Sequence, residues 1–181
     1  MDESRGRVVL GLDPGTASTG YGVVVSQGSR LQALEFGVVE TPASLPLAER
    51  LAHIHTAVTA LLERHKPEAA AVESLFFNVN VRTALAVGQA RGVALLACCQ
   101  SDCPVYEYTP QQVKQAVVGY GRADKQQVME MVRVLLGLDE RPSSDHAADA
   151  LGVAICHLHT AGWREGVASA LQRQKGKGPG D

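Results

Sequence analysis

The sequence is short of the features that mark secreted, membrane-spanning or disulfide-stapled proteins. Its four cysteines, Cys98, Cys99, Cys103 and Cys156, form neither a CxxC pair nor the paired spacing of a zinc site. Reduced structural thiols are expected. No window holds the uninterrupted apolar stretch of about 20 residues that a membrane helix needs. Met1 to Arg7 is polar and the apolar run behind it stops at Asp13, which is not a signal-peptide pattern. The expected location is cytoplasmic. No internal repeat is visible. An excess of one charge is also missing: 17 Lys and Arg stand against 19 Asp and Glu, a formal net charge of -2, whereas many nucleic-acid binders are strongly basic. That balance does not exclude nucleic acid, because a carboxylate cluster neutralised by cations makes total charge understate the positive potential along a groove.

What is present fits one folded unit. A length of 181 residues, with 45% hydrophobic and 20% charged residues, suits a single domain with its own core and excludes a largely disordered chain. We place this domain at residues 1–165 and a flexible, basic, glycine-rich tail at 166–181, with QRQKGKGPGD from Gln172 expected to be disordered.

The apolar runs Arg7 to Leu12, Tyr21 to Val25 and Leu31 to Val39, separated by Gly15 to Gly20 and Ser26 to Ser29, predict three strands in an antiparallel meander. The period then lengthens. Leu47, Leu51, Ile54, Val58, Leu61 and Leu62 recur three or four apart, an amphipathic helix ended by Pro67. Ala69 to Glu73 reads as a short buried strand, and a helix capped by Asn78 or Asn80 runs towards Cys99. Val105 to Tyr108 is another strand. Thr109-Pro110 starts a helix that Gly119 ends, Asp124 caps one ending at Gly137, and Ser144 or Asp145 opens the last. The order predicts an α/β fold: a mixed five-stranded sheet, three antiparallel strands followed by two parallel ones, flanked by helices.

Three acidic segments carry the chemistry. Asp13 stands at the end of the first strand in GLDPGTASTGYG, where glycine and small hydroxyl residues leave the backbone open to a ligand. A turn aspartate bonded to its own backbone is the equal alternative. Glu73 leaves a strand that should be central, and an unpartnered buried glutamate costs several kcal/mol or shifts its pKa. A metal ion would be a partner. In SSDHAADALGVA, His146 and Asp149 lie three apart on one helical face, and the alanines and glycine around them let the helix press against a sheet. Helix capping explains Asp145 but not Asp149, which lies beyond the capping positions. Oxygen ligands from separate segments suit magnesium or manganese rather than zinc. Two such ions roughly 3.5–4 Å apart would drive in-line phosphodiester hydrolysis.

LGLDPGTASTGYGVV, AVESLFFNVN, LAVGQARGVAL, VYEYTPQQVKQAVVGYGRADKQQVMEMV and DHAADALGVAICHLH resemble, in order and spacing, the bacterial RuvC resolvases from about Val8 to His159. The resemblance implies a ribonuclease H-like fold, a homodimer, and paired symmetric nicks in four-way (Holliday) DNA junctions. It implies two Mg2+ ions per subunit, with Mn2+ as the alternative, and the branch-migration proteins RuvA and RuvB as partners. Asp13, Glu73 and Asp149 match the family's metal-binding acids. His146 falls where many members carry a further aspartate, so local charge and metal preference depart from the common pattern; it would be catalytic, metal-binding or both. Phe76 matches an aromatic that stacks on unpaired bases, while the sequence does not assign Phe77. Lys114 and Lys125 match lysines that contact DNA near the active site. Arg82, Arg91 and Arg122 are further candidates for DNA-backbone contact. The competing readings are an actin-like or sugar-kinase-type ATPase, which needs a second lobe that this length does not hold, a non-catalytic junction-binding module, and a shorter RNA-acting nuclease of the same fold.

Overall fold

The computed structural model describes residues 6–74 and 81–175, with backbone alone at 81–83 and 162–175. Strands β1 (Arg7–Asp13), β2 (Ser18–Gln27) and β3 (Arg30–Glu40) form the antiparallel meander. Helix α1 (Leu47–His65) leads to β4 (Ala69–Glu73), α2 (Val81–Gln100) to β5 (Val105–Tyr108), and α3 (Pro110–Val118), α4 (Lys125–Leu136) and α5 (Asp145–Lys175) follow. The sheet order is β3-β2-β1-β4-β5, with β4 parallel to both β1 and β5. The helical crossovers that join the parallel strands provide the chain length that pairing requires.

Period-2 alternation divides the core into two layers. Leu10, Leu12, Val23, Ala70 and Val72 face α1 and α2, against Ile54, Val58, Leu61, Ala90 and Ala94. Val9, Val24, Ala71 and Tyr108 face α3, α4 and α5, against Val113, Val132, Leu151, Val153 and Ile155. The caps read from sequence are present. Thr109 and Asp124 each close a reciprocal capping box, with Gln112 and Gln127, and Gly119 and Gly137 end their helices in the left-handed conformation. All four cysteines are free thiols. Burial pushes Cys98 up to about 12 and Cys103 and Cys156 up to about 11, so these three are inert packing residues at neutral pH. Among the described residues no helix is long and apolar enough to cross a membrane.

Three details differ from the sequence reading. The β2–β3 turn is only Gly28-Ser29, with Gln27 paired to Arg30 and Gly28 at φ +61. Strand β2 starts at Ser18, earlier than the expected Tyr21, because the poor strand propensity of Gly20 made that segment read as a connection. Helix α5 continues to Lys175, past the boundary at 165 and through the first residues of the expected tail. Ala168, Ala170, Leu171, Gln172, Arg173 and Gln174 are helix-compatible, and proline does not intervene before Pro179. Asn78 and Asn80, the candidate caps of α2, lie outside the described residues.

Three strand glycines have a packing reason. A Cβ on Gly11 would lie 1.9 Å from the Ala150 carbonyl oxygen, one on Gly20 2.0 Å from that of His146, and one on Gly22 2.7 Å from the Leu151 side chain. Helix α5 therefore rests on the bare backbone of β1 and β2. Since a backbone carbonyl cannot move aside as a side chain can, Gly11→Ala is expected to cost at least about 2 kcal/mol of stability in urea denaturation, through overpacking that lifts the helix. A variant as stable as the unaltered chain would mean the helix is not pressed there.

Candidate active site

Register brings the first two acids together. Leu12 pairs with Val72 across the parallel β1–β4 ladder, so the next residues, Asp13 and Glu73, stand side by side at the same end of adjacent strands. Leu12 and Val72 face α1 and α2, so alternation turns Asp13 and Glu73 towards α5. The glycine contact presses the start of α5 onto this spot, with the His146 carbonyl over Gly20 and Gly20 paired with Asp13.

The contacts follow from that placement. His146 Nδ1 lies 2.6 Å from Asp13 Oδ2, a hydrogen bond donated by the imidazole N–H to the carboxylate. Lys125, the first residue of α4, places Nζ 3.0 Å from Asp145 Oδ2 and 3.4 Å from Asp149 Oδ2. Burial opposes the charge on Lys125, but the hydrogen bond to Asp145 and the two carboxylate charges prevail and raise its pKa. Asp145 thus serves as a lysine partner, which capping alone did not foresee. Among the described residues, no three His, Cys, Asp or Glu side chains are drawn close enough to enclose an ion. Instead His146 and Lys125 engage the acids.

Negative charge is still in excess. Burial first, then the charges of Asp149 and Asp13, push Glu73 up to about 7, against a smaller opposing pull from Lys114 and Lys125. Asp149 is also raised, by burial first and by Asp13, with Lys125 opposing. Asp13, Glu73, Asp149, Lys114 and Lys125 therefore belong to one electrostatic cluster. Asp13 and Glu73 also line a cavity of about 220 Å³ with Pro14, Ser74, Val87, Arg91 and Pro110.

Arg91 is not the DNA-backbone contact that its charge suggested. It is 7% exposed, donates from Nη1 to the Glu73 carbonyl oxygen at 2.7 Å, and sets Nη2 2.9 Å from Glu107 Oε1. The helical period carried a signal: Arg91 shares a stripe with Ala94 and Cys98, both fully buried. Arg122 is exposed. Phe76 and Phe77 lie outside the described residues, as does the Arg82 side chain.

Against known proteins, the family model described as "Crossover junction endodeoxyribonuclease RuvC" matches residues 9–157. The chain belongs to that family. It is 58% identical over 161 residues to the RuvC of Heliobacterium modesticaldum, covering 89% of this chain and 98% of that one. Thermus thermophilus RuvC superposes with a TM-score of 0.81 at 44% identity, over 88% of this chain and 96% of that chain. The same protein in complex with a Holliday junction substrate gives 0.82, also at 44% identity, over 86% and 94%. The yeast mitochondrial Holliday junction resolvase Ydc2, at 13% identity, shares the fold, with a TM-score of 0.59 over 83% of this chain and 77% of its own. The mixed sheet with flanking helices is thus the ribonuclease H-like fold, and the chain is a nuclease of the RuvC family.

The raised Glu73 makes a prediction about pH. Its folded pKa of about 7 lies above the ordinary 4.5, so in that window the folded state binds more protons than the unfolded one. This group therefore stabilises the metal-free protein progressively as pH falls from about 7 to about 4.5. Glu73→Gln should flatten that part of the stability profile. It should also stabilise the metal-free protein by about 1 to 2 kcal/mol near pH 8, once solvent screening is allowed for. Urea titrations of both forms across pH check this, and parallel profiles would show that Glu73 ionises normally.

Proposed function

We propose that this chain resolves four-way DNA junctions as a homodimer, cutting opposing strands by paired, symmetric, metal-assisted phosphodiester hydrolysis. Asp13, Glu73 and Asp149 are the metal-holding acids, with His146 as a fourth ligand or proton-handling group. The observation that carries this reading is the charge excess at Glu73, whose pKa burial, Asp149 and Asp13 raise to about 7. Divalent cations relieve such an excess, and the donor set of carboxylates and one imidazole suits magnesium or manganese. When bound, two such ions supply a polarised water as nucleophile and stabilise the leaving oxygen.

The chain's own residues do the rest. The Asp13–His146 hydrogen bond fixes the imidazole through Nδ1, which makes Nε2 the nitrogen available to an ion or a proton. With histidine at 146 where many members carry an aspartate, the site holds one carboxylate fewer for the ions to offset. Lys125 pairs with Asp145 and Asp149, and were ions to take those carboxylates, its ammonium would be free for a substrate phosphate. Lys114, whose charge already reaches Glu73, is the second phosphate-contacting lysine, and Phe76 stacks on an unpaired base at the crossover. T. thermophilus RuvC has been observed with a Holliday junction substrate, and 44% identity across the domain supports the same substrate class here. The homodimer, the RuvA and RuvB branch-migration partners and a cytoplasmic location complete the reading, as does a basic tail that contacts DNA without sequence preference.

The deciding experiment incubates the chain with labelled four-way junction, linear duplex and RNA/DNA hybrid, in magnesium, manganese or chelator. Paired junction nicks that need the metal are expected; hybrid cutting would instead indicate an RNA-directed nuclease. Asp13→Asn, Glu73→Gln and Asp149→Asn should each lower cleavage by well over a hundredfold while junction binding persists, since loss of a ligand exceeds the 10- to 100-fold effect of losing a group that merely orients one. Full activity in any of the three contradicts its role. His146→Asp should stay active with an altered Mg2+/Mn2+ preference, and a folded but inactive variant would reject that assignment. Phe76→Ala should weaken cleavage more than duplex binding.

A further inference from the structure

We propose that Arg91 is a positioning residue for Glu73: a guanidinium bridge from α2 that fixes the end of β4 against β5. The inference rests on Glu73 being a metal ligand, as proposed above.

Burying a guanidinium is costly, and where only packing is needed an apolar residue of similar volume is usually as good or better. Arg91 nevertheless sits at 7% exposure on the α2 stripe that otherwise carries Ala94 and Cys98. Its two arms reach different strands. Nη1 donates to the main-chain carbonyl of Glu73, 2.7 Å away, while Nη2 lies 2.9 Å from Glu107 Oε1 as an ion pair without hydrogen-bond alignment. Glu73 is the last residue of the five-residue strand β4, and strand ends are where local opening is easiest. Beyond it the Ser74 amide donates to the Tyr108 carbonyl at 2.7 Å, the last link of the β4–β5 ladder. Glu107 immediately precedes Tyr108 on β5. The bridge therefore closes a loop around that link, joining the residue before Ser74 to the residue before Tyr108.

The direction of approach matters too. The side chains of Asp13 and Glu73 turn towards α5, whereas Arg91 comes from α2 on the opposite face and lines the cavity beside them. Its hydrogen bond takes the Glu73 backbone carbonyl and leaves the carboxylate for other partners. A planar guanidinium can donate to one acceptor from one arm and set its other arm beside a second charge, which the single ammonium of a lysine does less well. Because metal ligands tolerate little displacement, an anchored main chain limits Glu73 to motion of its own side chain.

The test uses the full chain with Arg91→Met, Arg91→Lys and Glu107→Gln. Amide exchange followed by NMR without metal reads the strand end directly. In Arg91→Met, exchange at Ser74 should quicken at least about tenfold. Ala70, whose amide bonds to Pro104 at the other end of β4, should stay protected. Mn2+ affinity by calorimetry should fall about tenfold, as for other groups that orient a ligand. Glu107→Gln should shift both readouts in the same direction by less. Unchanged Ser74 protection and Mn2+ affinity in a folded Arg91→Met chain, or a uniform loss of protection along β4, overturns the proposal. Full recovery with Arg91→Lys also overturns it, since charge alone would then suffice. If Arg91→Met fails to fold, Glu107→Gln decides by the same two readouts. Failure of the unaltered chain to bind Mn2+ would count against the metal-site reading rather than the bridge, which Ser74 exchange reports without metal.

Discussion

Everything at this site depends on how closely α5 can lie on the sheet. Helices usually pack through side-chain layers, but here Gly11 and Gly20 present no Cβ, and the Ala150 and His146 carbonyls occupy the space those atoms would fill. The facing side of α5 is matched, with Ala147, Ala150 and Ala154 all buried. Removing methyl groups from both surfaces sacrifices some buried apolar area and gains position. The first turn of α5 reaches the strand ends where Asp13 and Glu73 emerge, and His146 touches Asp13 directly. A thicker layer would keep the same residues in the same order and separate the acids.

Bringing acids together under partial burial creates the second constraint, charge. Glu73 bears most of it, because burial and two neighbouring carboxylates all oppose its ionisation. Asp13 is held by an imidazole, and Asp149 shares an ammonium with Asp145. The groups that engage these acids, His146 and Lys125, are exposed side chains at helix starts. This also accounts for a net charge of -2 in a DNA-cutting chain: carboxylates gathered at one site lower the total while lysines and arginines remain distributed elsewhere.

Much of this was legible in the residues. The order of elements along the chain, the parallel last two strands, four helix caps and the three acidic segments followed from periodicity, turn chemistry and spacing. The small residues of α5 pointed to its close approach, but Gly20, the partner surface that sets the approach beside Asp13, lay in a segment that reads as a connection rather than a strand. Arg91 was misread for a related reason. Its type predicts a surface contact, and only its helical phase, shared with Ala94 and Cys98, reveals that it points inward. Helix α5 outran its expected end because composition marks the glycine-rich terminus but gives no sharp stop before Pro179. In each case a tertiary contact or a distant breaker outweighed local preference.

The two faces of the sheet divide the work between them. From the α5 face come side chains that differ in charge and donor type, His146, Asp145 and Asp149, with Lys125 reaching in from α4. From the α2 face comes a single arginine that addresses the backbone. Under the metal-holding roles proposed above, changes on the first face should alter which ion is held and how charge is balanced, because they change the donors. Changes on the second should alter how firmly any ion is held, because they leave the donors intact and loosen the strand that carries one of them. An aspartate-to-histidine exchange at 146 is tolerable on that logic: it varies chemistry on one face while the frame set by Gly11, Gly20 and Arg91 stays the same.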